Sequence, residues 1–324
     1  MNMKIIAIII ILISASVAFT QQLSQHSQYL RNQYIMNPGA AGIYDFTDIT
    51  VSGRQQWKDV VNAPLTSYFS ISAPLSKRVK EIYNPSLRVS HGPVKNPEIN
   101  TGKFKHALGG QFFIDQYGAF RKVECSGTYA IHLPLTKSYT LSFGTKLGIS
   151  NNQFIPERAM VLNSINDNNY NTFLANQTNQ NIVNLGMGFY LYSKKMFFGI
   201  SADNLTRDLV STNVSSINFN SMIHSKIIGG YKFDIGNNFT LTPSFLVKYM
   251  SPTPFSVDVS LQLEYKEWLW FAASYRHKDA VIGMCGLNIS NRFKIGYSYD
   301  YTTSRINTIS TGGHEIVLGI TLGR

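Results

Sequence analysis

The chain has 324 residues and a mass of 36.4 kDa, carries a formal net charge of +11, and holds 13% aromatic against only 15% charged residues. So many aromatics with so few charges exclude an intrinsically disordered chain, and two Cys in this length exclude a disulfide scaffold. After residue 20 no apolar run approaches the roughly 18 residues that a spanning helix needs, which excludes a helical membrane protein.

Residues 1–20 read as a secretory leader: Lys4 supplies the positive start, Ile5 to Ile13 are unbroken and apolar, and Ala18-Phe19-Thr20 fits a cleavage site. A buried first strand is the alternative. Residues 21–45 are polar and then small, with Asn37, Pro38 and Gly42 as turn formers. They fit either a plug in a lumen or a periplasmic tether.

From residue 46 to 324 the dominant signal is two-residue alternation. Val123, Cys125, Tyr129, Ile131 and Leu133 alternate with Lys122, Glu124, Ser126, Thr128 and His132. Phe255, Val257, Val259, Leu261, Leu263 and Tyr265 alternate with Ser256, Asp258, Ser260, Gln262 and Glu264. Strands are predicted over 46–57, 65–74, 105–116, 119–132, 138–150, 181–192, 195–203, 222–233, 238–249, 254–265, 267–276, 280–288, 291–301 and 313–322. Many match the 9–11 residues, approximately, of a tilted strand crossing a bilayer. Aromatics such as Tyr139, Phe239, Tyr249 and Phe255 end the apolar faces, as interfacial girdles require. The expectation is an all-β transmembrane antiparallel barrel of about 14 strands, of outer-membrane type.

With both termini periplasmic, the inside turns near 192–195, 234–237, 265–267 and 290–291 are short, while the outside loops near 151–180, 204–221 and 302–312 are long. The connection 75–104 breaks this asymmetry: it is long yet falls inside. It carries Lys77, Arg78, Lys80, Arg88, Lys95 and Lys103 against Glu81 and Glu98. It reads as a solvated loop or as a docking surface for an acidic periplasmic partner or anionic lipid headgroups.

Several motifs occur in a fixed order. They are Gln25-His26-Ser27-Gln28-Tyr29, Asn37-Pro38-Gly39-Ala40-Ala41-Gly42, Arg54-Gln55-Gln56-Trp57, Ala63-Pro64-Leu65-Thr66, Lys294 to Asp300 around Tyr297, and Gly313-His314-Glu315-Ile316. In this order the chain resembles the PorP/SprF family of outer-membrane proteins of the type IX secretion system. The resemblance implies a non-enzymatic role in protein export across the outer membrane. Such a protein would assist export of a secreted surface protein, or hold its C-terminal domain at the surface, in some members with gliding motility machinery and large adhesins. Periplasmic ring components of the secretion system are the implied neighbours.

Enzyme motifs fail on inspection. Gly186-Met187-Gly188 lies inside an alternating strand and lacks a third glycine. His314-Glu315 lacks the second histidine of a zinc site. No enzyme, cofactor or metal is expected, and a leader with a barrel pattern argues against nucleic acid as a partner. Cys125 and Cys285 could in principle pair, but their spacing establishes no bond.

Parity and strand direction yield one constellation. Arg54 shares a face with Asp48, Thr50 and Ser52, Arg276 with Ala272 and Ser274, Asp300 with Lys294 and Ser298, and Glu315 with Gly319 and Thr321. All four charged residues fall near the extracellular mouth, where the first and last strands must meet. They read as a salt-bridge network that fixes closure register, or as a contact for a passenger protein. Trp57 and Pro64 flank the first outer loop, with Trp57 an interfacial anchor or a partner contact. A passive channel for small solutes is the alternative function.

Overall fold

The computed structural model describes residues 24–75, 101–161, 167–175, 179–207, 222–289 and 292–323. The leader reading, residues 1–20, and the basic residues Lys77, Arg78, Lys80, Arg88 and Lys95 lie outside these. Lys103 is described and exposed.

Among the described residues fifteen strands follow one another. They are β1 (Thr47–Gln55), β2 (Leu65–Pro74), β3 (Lys105–Tyr117), β4 (Phe120–Pro134), β5 (Thr140–Phe154), β6 (Asn179–Tyr192), β7 (Met196–Asp203), β8 (His224–Tyr231), β9 (Phe233–Ile235), β10 (Phe239–Met250), β11 (Ser256–Tyr265), β12 (Leu269–Arg276), β13 (Ala280–Asn288), β14 (Phe293–Thr302) and β15 (Gly313–Leu322). β8 and β9 form a single stave, because both pair with β10 in one continuous register. The interruption falls where Pro243 of β10, which has no N–H, removes a ladder donor. Counted by staves, the barrel is fourteen-stranded and antiparallel.

Closure is direct. β1 pairs with β15 from Thr47↔Leu322 to Gln55↔His314, and with β2 on its other side. Every stave thereby pairs with a neighbour on each side, the condition for strands in hydrocarbon.

The alternation separates lumen from lipid. Along β1 the buried residues are Asp48, Thr50, Ser52 and Arg54, while Val51 faces outward. Along β11 Val259, Leu261 and Leu263 are outward, against buried Asp258, Ser260 and Gln262. Outward aromatics gather at both ends of the belt: Tyr249, Phe255, Tyr275 and Tyr301 at one, Tyr139, Phe239, Trp268 and Phe293 at the other. Leu261→Arg, in the middle of this belt, is expected to cost about 2–4 kcal/mol when refolding is measured in bilayers.

The two ends differ. The distal end carries long connections after β1, β5, β7 and β14 and short ones after β3 and β12; the proximal end carries both ends of the barrel sheet, three-residue turns after β6, β9 and β11, and the long connection after β2 that departs from this asymmetry. Short turns mark the periplasmic side of such barrels. The connection after β5 is not featureless: β5 runs to Phe154, beyond the predicted end, and a 3-10 turn (Pro156–Arg158) and α1 (Asn168–Ala175) follow. β1 is shorter than predicted. It ends at Gln55, because the chain turns at Trp57, whose φ of 53° no strand adopts.

Residues 24–46 lie inside the lumen. Tyr29, Met36, Ala40 and Ile43 form an apolar cluster with Tyr190, Phe197, Ile228 and Leu246 of the wall. Of the two sequence alternatives, plug or tether, these residues take the first.

Candidate functional site: a plugged lumen with a charged distal mouth

The plug is built to lie close to the wall. Asn37 caps the 3-10 turn Pro38–Ala40 by accepting from Gly39 N at 2.8 Å. Its Nδ2 donates to the carbonyls of Phe189 (2.9 Å) and Ile200 (3.1 Å). The wall beneath is glycine. A Cβ at Gly144 of β5 would collide with Pro38, one at Gly188 of β6 with Asn37 Oδ1, and one at Gly199 of β7 with Asn37 and Tyr190. Further along, Gly109 of β3 makes room for the Tyr34 ring. Gly42 has φ +68°, and a Cβ there would meet Ala107. Asn37, Pro38 and Gly42 are therefore turn residues, as read from the sequence, and also points of close approach to the barrel.

Polar bonds tie the plug to staves around the lumen. Tyr29 Oη donates to Ser260 (3.1 Å) and lies 3.0 Å from Ser244 Oγ. Asn32 donates to Ser70 (2.8 Å), and Tyr34 to Thr128 (2.9 Å). Ser201 donates to the Met36 carbonyl (2.8 Å), and Lys105 to that of Ile43 (3.0 Å). His132 Nε2 donates to the Ala41 carbonyl at 2.9 Å, leaving Nδ1 to accept from Tyr192 Oη at 2.9 Å. Buried polar groups demand such partners.

At the distal mouth the structure brings Arg54, Arg276, Asp300 and Glu315 together. Arg54 pairs with Asp300 at 2.7 Å and Glu315 at 3.3 Å, and Arg276 with Asp300 at 3.2 Å, Asp258 at 3.0 Å and Asp279 at 3.3 Å. Ser27 of the plug sits at the centre. Its N–H donates to Glu315 at 2.7 Å, its hydroxyl lies 3.0 Å from both Asp300 oxygens, and it accepts from Arg54 at 2.7 Å. The side chains of the four charged residues are 1–4% exposed. They join the seam to the plug and present no open surface.

Other singled-out residues are elsewhere. Tyr297 and His314 face outward and touch each other, with Oη 2.7 Å from Nδ1. Pro64 accepts from Gln56 N (3.0 Å) where the first distal loop returns, and Trp57 begins that loop. Cys125 and Cys285 are free and exposed, on β4 and β13. Among the described residues no group of three His, Cys, Asp or Glu could hold a metal ion.

A second ionic chain was missed in the sequence. Lys122 and Lys146 flank Glu124 at 2.9 and 3.3 Å, and Lys146 and Lys226 flank Asp203, each at 2.8 Å. Lys122 and Glu124 already stood on a polar face, but only the register of β4 to β8 brings Lys146, Asp203 and Lys226 beside them.

A closed fourteen-stranded barrel with a lipid-facing belt and an internal plug defines an outer-membrane β-barrel protein. The model of the type IX secretion system membrane protein PorP/SprF matches residues 18–320, so the chain belongs to the PorP/SprF family. Among solved structures it is similar to the toluene transporter TbuX of Ralstonia pickettii, at 9% identity and a TM-score of 0.49, over 89% of this chain and 92% of that one. It is also similar to the monoaromatic hydrocarbon channel CymD, at 10% identity and TM-score 0.47 over 92% of each chain. The outer membrane protein Omp33 of Acinetobacter baumannii matches at 9% identity and TM-score 0.44, over 86% of this chain and 98% of that one. At these values the likenesses carry no argument about activity. No curated protein matches the chain.

Proposed function

We propose that this barrel is a non-enzymatic anchoring component of type IX secretion. It binds a secreted, adhesin-like surface protein through that protein's C-terminal domain, assists its export or retention, and works beside the periplasmic ring, with gliding motility as one use. The observation that carries the reading is the occupied lumen: a barrel whose own residues 24–46 pack against and bond to its inner wall suits a platform better than a conduit. The long distal connections supply the surface for the passenger. A passive channel for small solutes would need that space open.

Affinity purification of the full chain from gently solubilised outer membranes tests the reading. A large secreted protein is expected to co-elute through its C-terminal domain and to be lost when that domain is deleted. A barrel that elutes alone under these conditions overturns it.

A further inference from the structure

The plug does not fill the proximal end. Between it and the wall lies a cavity of about 100 Å³. That admits a side chain and excludes a folded domain. Apolar lining comes from both sides: Leu30 and Tyr44 of the plug, Met196 and Phe197 of β7.

Its charge is one-sided. Arg31, Lys194, Lys195, Lys232, Arg292 and Lys294 line it, against the single carboxylate of Glu264. Arg31, Lys195 and Lys294 are among those that already have partners. Lys294 pairs with Asp48 at 2.6 Å, Lys195 with Asp234 at 2.9 Å, and Arg31 donates to Asn288 at 2.7 Å and lies over the Trp270 ring. The Lys195 ammonium sits on an exposed turn and is held above its ordinary pKa by its hydrogen bond to Asp234. Among the described residues, no carboxylate lies within ion-pair distance of Lys194 or Lys232. A concave site with low-dielectric walls and an excess of one sign concentrates ligands of the other.

We propose that this proximal vestibule is a binding site for an acidic peptide segment of a protein on the short-turn side of the membrane. One apolar side chain enters between Tyr44 and Met196, and flanking carboxylates engage Lys194 and Lys232. The apolar part of the lining separates this occupant from a bare anion, which would leave that surface uncovered, and the small volume excludes a folded domain. The site is separate from the distal surface assigned to the passenger, so either can fail alone.

The test uses the purified full-length barrel in detergent and a fluorescent synthetic peptide with one Phe among Asp and Glu. Anisotropy is expected to show at least tenfold tighter binding than for the same peptide with Asn and Gln, weakening as salt rises. Lys194→Gln with Lys232→Gln is expected to weaken binding at least tenfold, while the heat-dependent gel shift of the folded barrel stays unchanged. Replacing Phe in the peptide by Ser is expected to weaken binding further. Equal affinity for the amide peptide, full binding by the double variant, or inorganic phosphate matching the peptide in competition would overturn the proposal.

Discussion

Gly144→Val combined with Gly188→Val is expected to evict Asn37–Gly39 from the wall and to open the lumen. Valine favours strands, so the staves themselves tolerate the change. The added atoms, however, fall on Pro38 and on the Asn37 side chain. Overpacking of this kind costs typically about 1–3 kcal/mol, and the plug can escape it by leaving. In planar bilayers the native barrel is expected to give no regular conductance steps and the double variant to give them. In the same variant, the N-terminal segment is expected to become sensitive to added protease while the barrel remains resistant. Steps from the native protein would favour the passive channel. A silent, protease-resistant variant would show that the glycine floor does not hold the plug.

Arg276→Ala is expected to be the most costly single side-chain truncation. It leaves Asp258 and Asp300 buried with less compensation, since Lys248 is 3.6 Å from Asp258 and Arg54 must serve Asp300 and Glu315 together. Breaking a buried pair in this way costs about 3–5 kcal/mol, whereas exposed changes such as Lys58→Ala stay within about 0.5 kcal/mol. The urea midpoint of the lipid-reconstituted barrel measures it. Arg276→Met with Asp300→Asn is expected to recover part of the loss, because the charge is then removed from both sides. If Arg276→Ala or Arg54→Ala left the midpoint unchanged but abolished retention of the passenger, the cluster would be a contact site instead of a lock.

The barrel was legible because lipid outside and polar space inside impose a period of two on every stave. The parity that put Arg54, Arg276, Asp300 and Glu315 on lumen faces needed only strand direction and the meeting of first and last strands, and the register Arg54↔Glu315 places them side by side. The limits were also physical. Trp57 turns the chain through a positive φ that its neighbours do not signal. The plug has no repeat to read, because each of its residues answers a different stave: Tyr29 to Ser244 and Ser260, Tyr34 to Thr128, Asn37 to the carbonyls of β6 and β7. The one available trace was glycine at lumen parity in Gly109, Gly144, Gly188 and Gly199, positions where a packed wall would otherwise place a side chain.

The bond from Ser27 to Glu315 joins positions 288 residues apart. Ser27 leaves the ribosome long before Glu315 exists, so its central contacts can form only after the final hairpin has been synthesised and delivered. Contacts this remote are slow to form, since the intervening chain must first be gathered. A nascent chain cut short anywhere before β15 lacks both the mating strand and the Glu315 contacts of its leading segment. The lumen cluster therefore ties an early segment of the chain to its final stave, and locks only when both are in place.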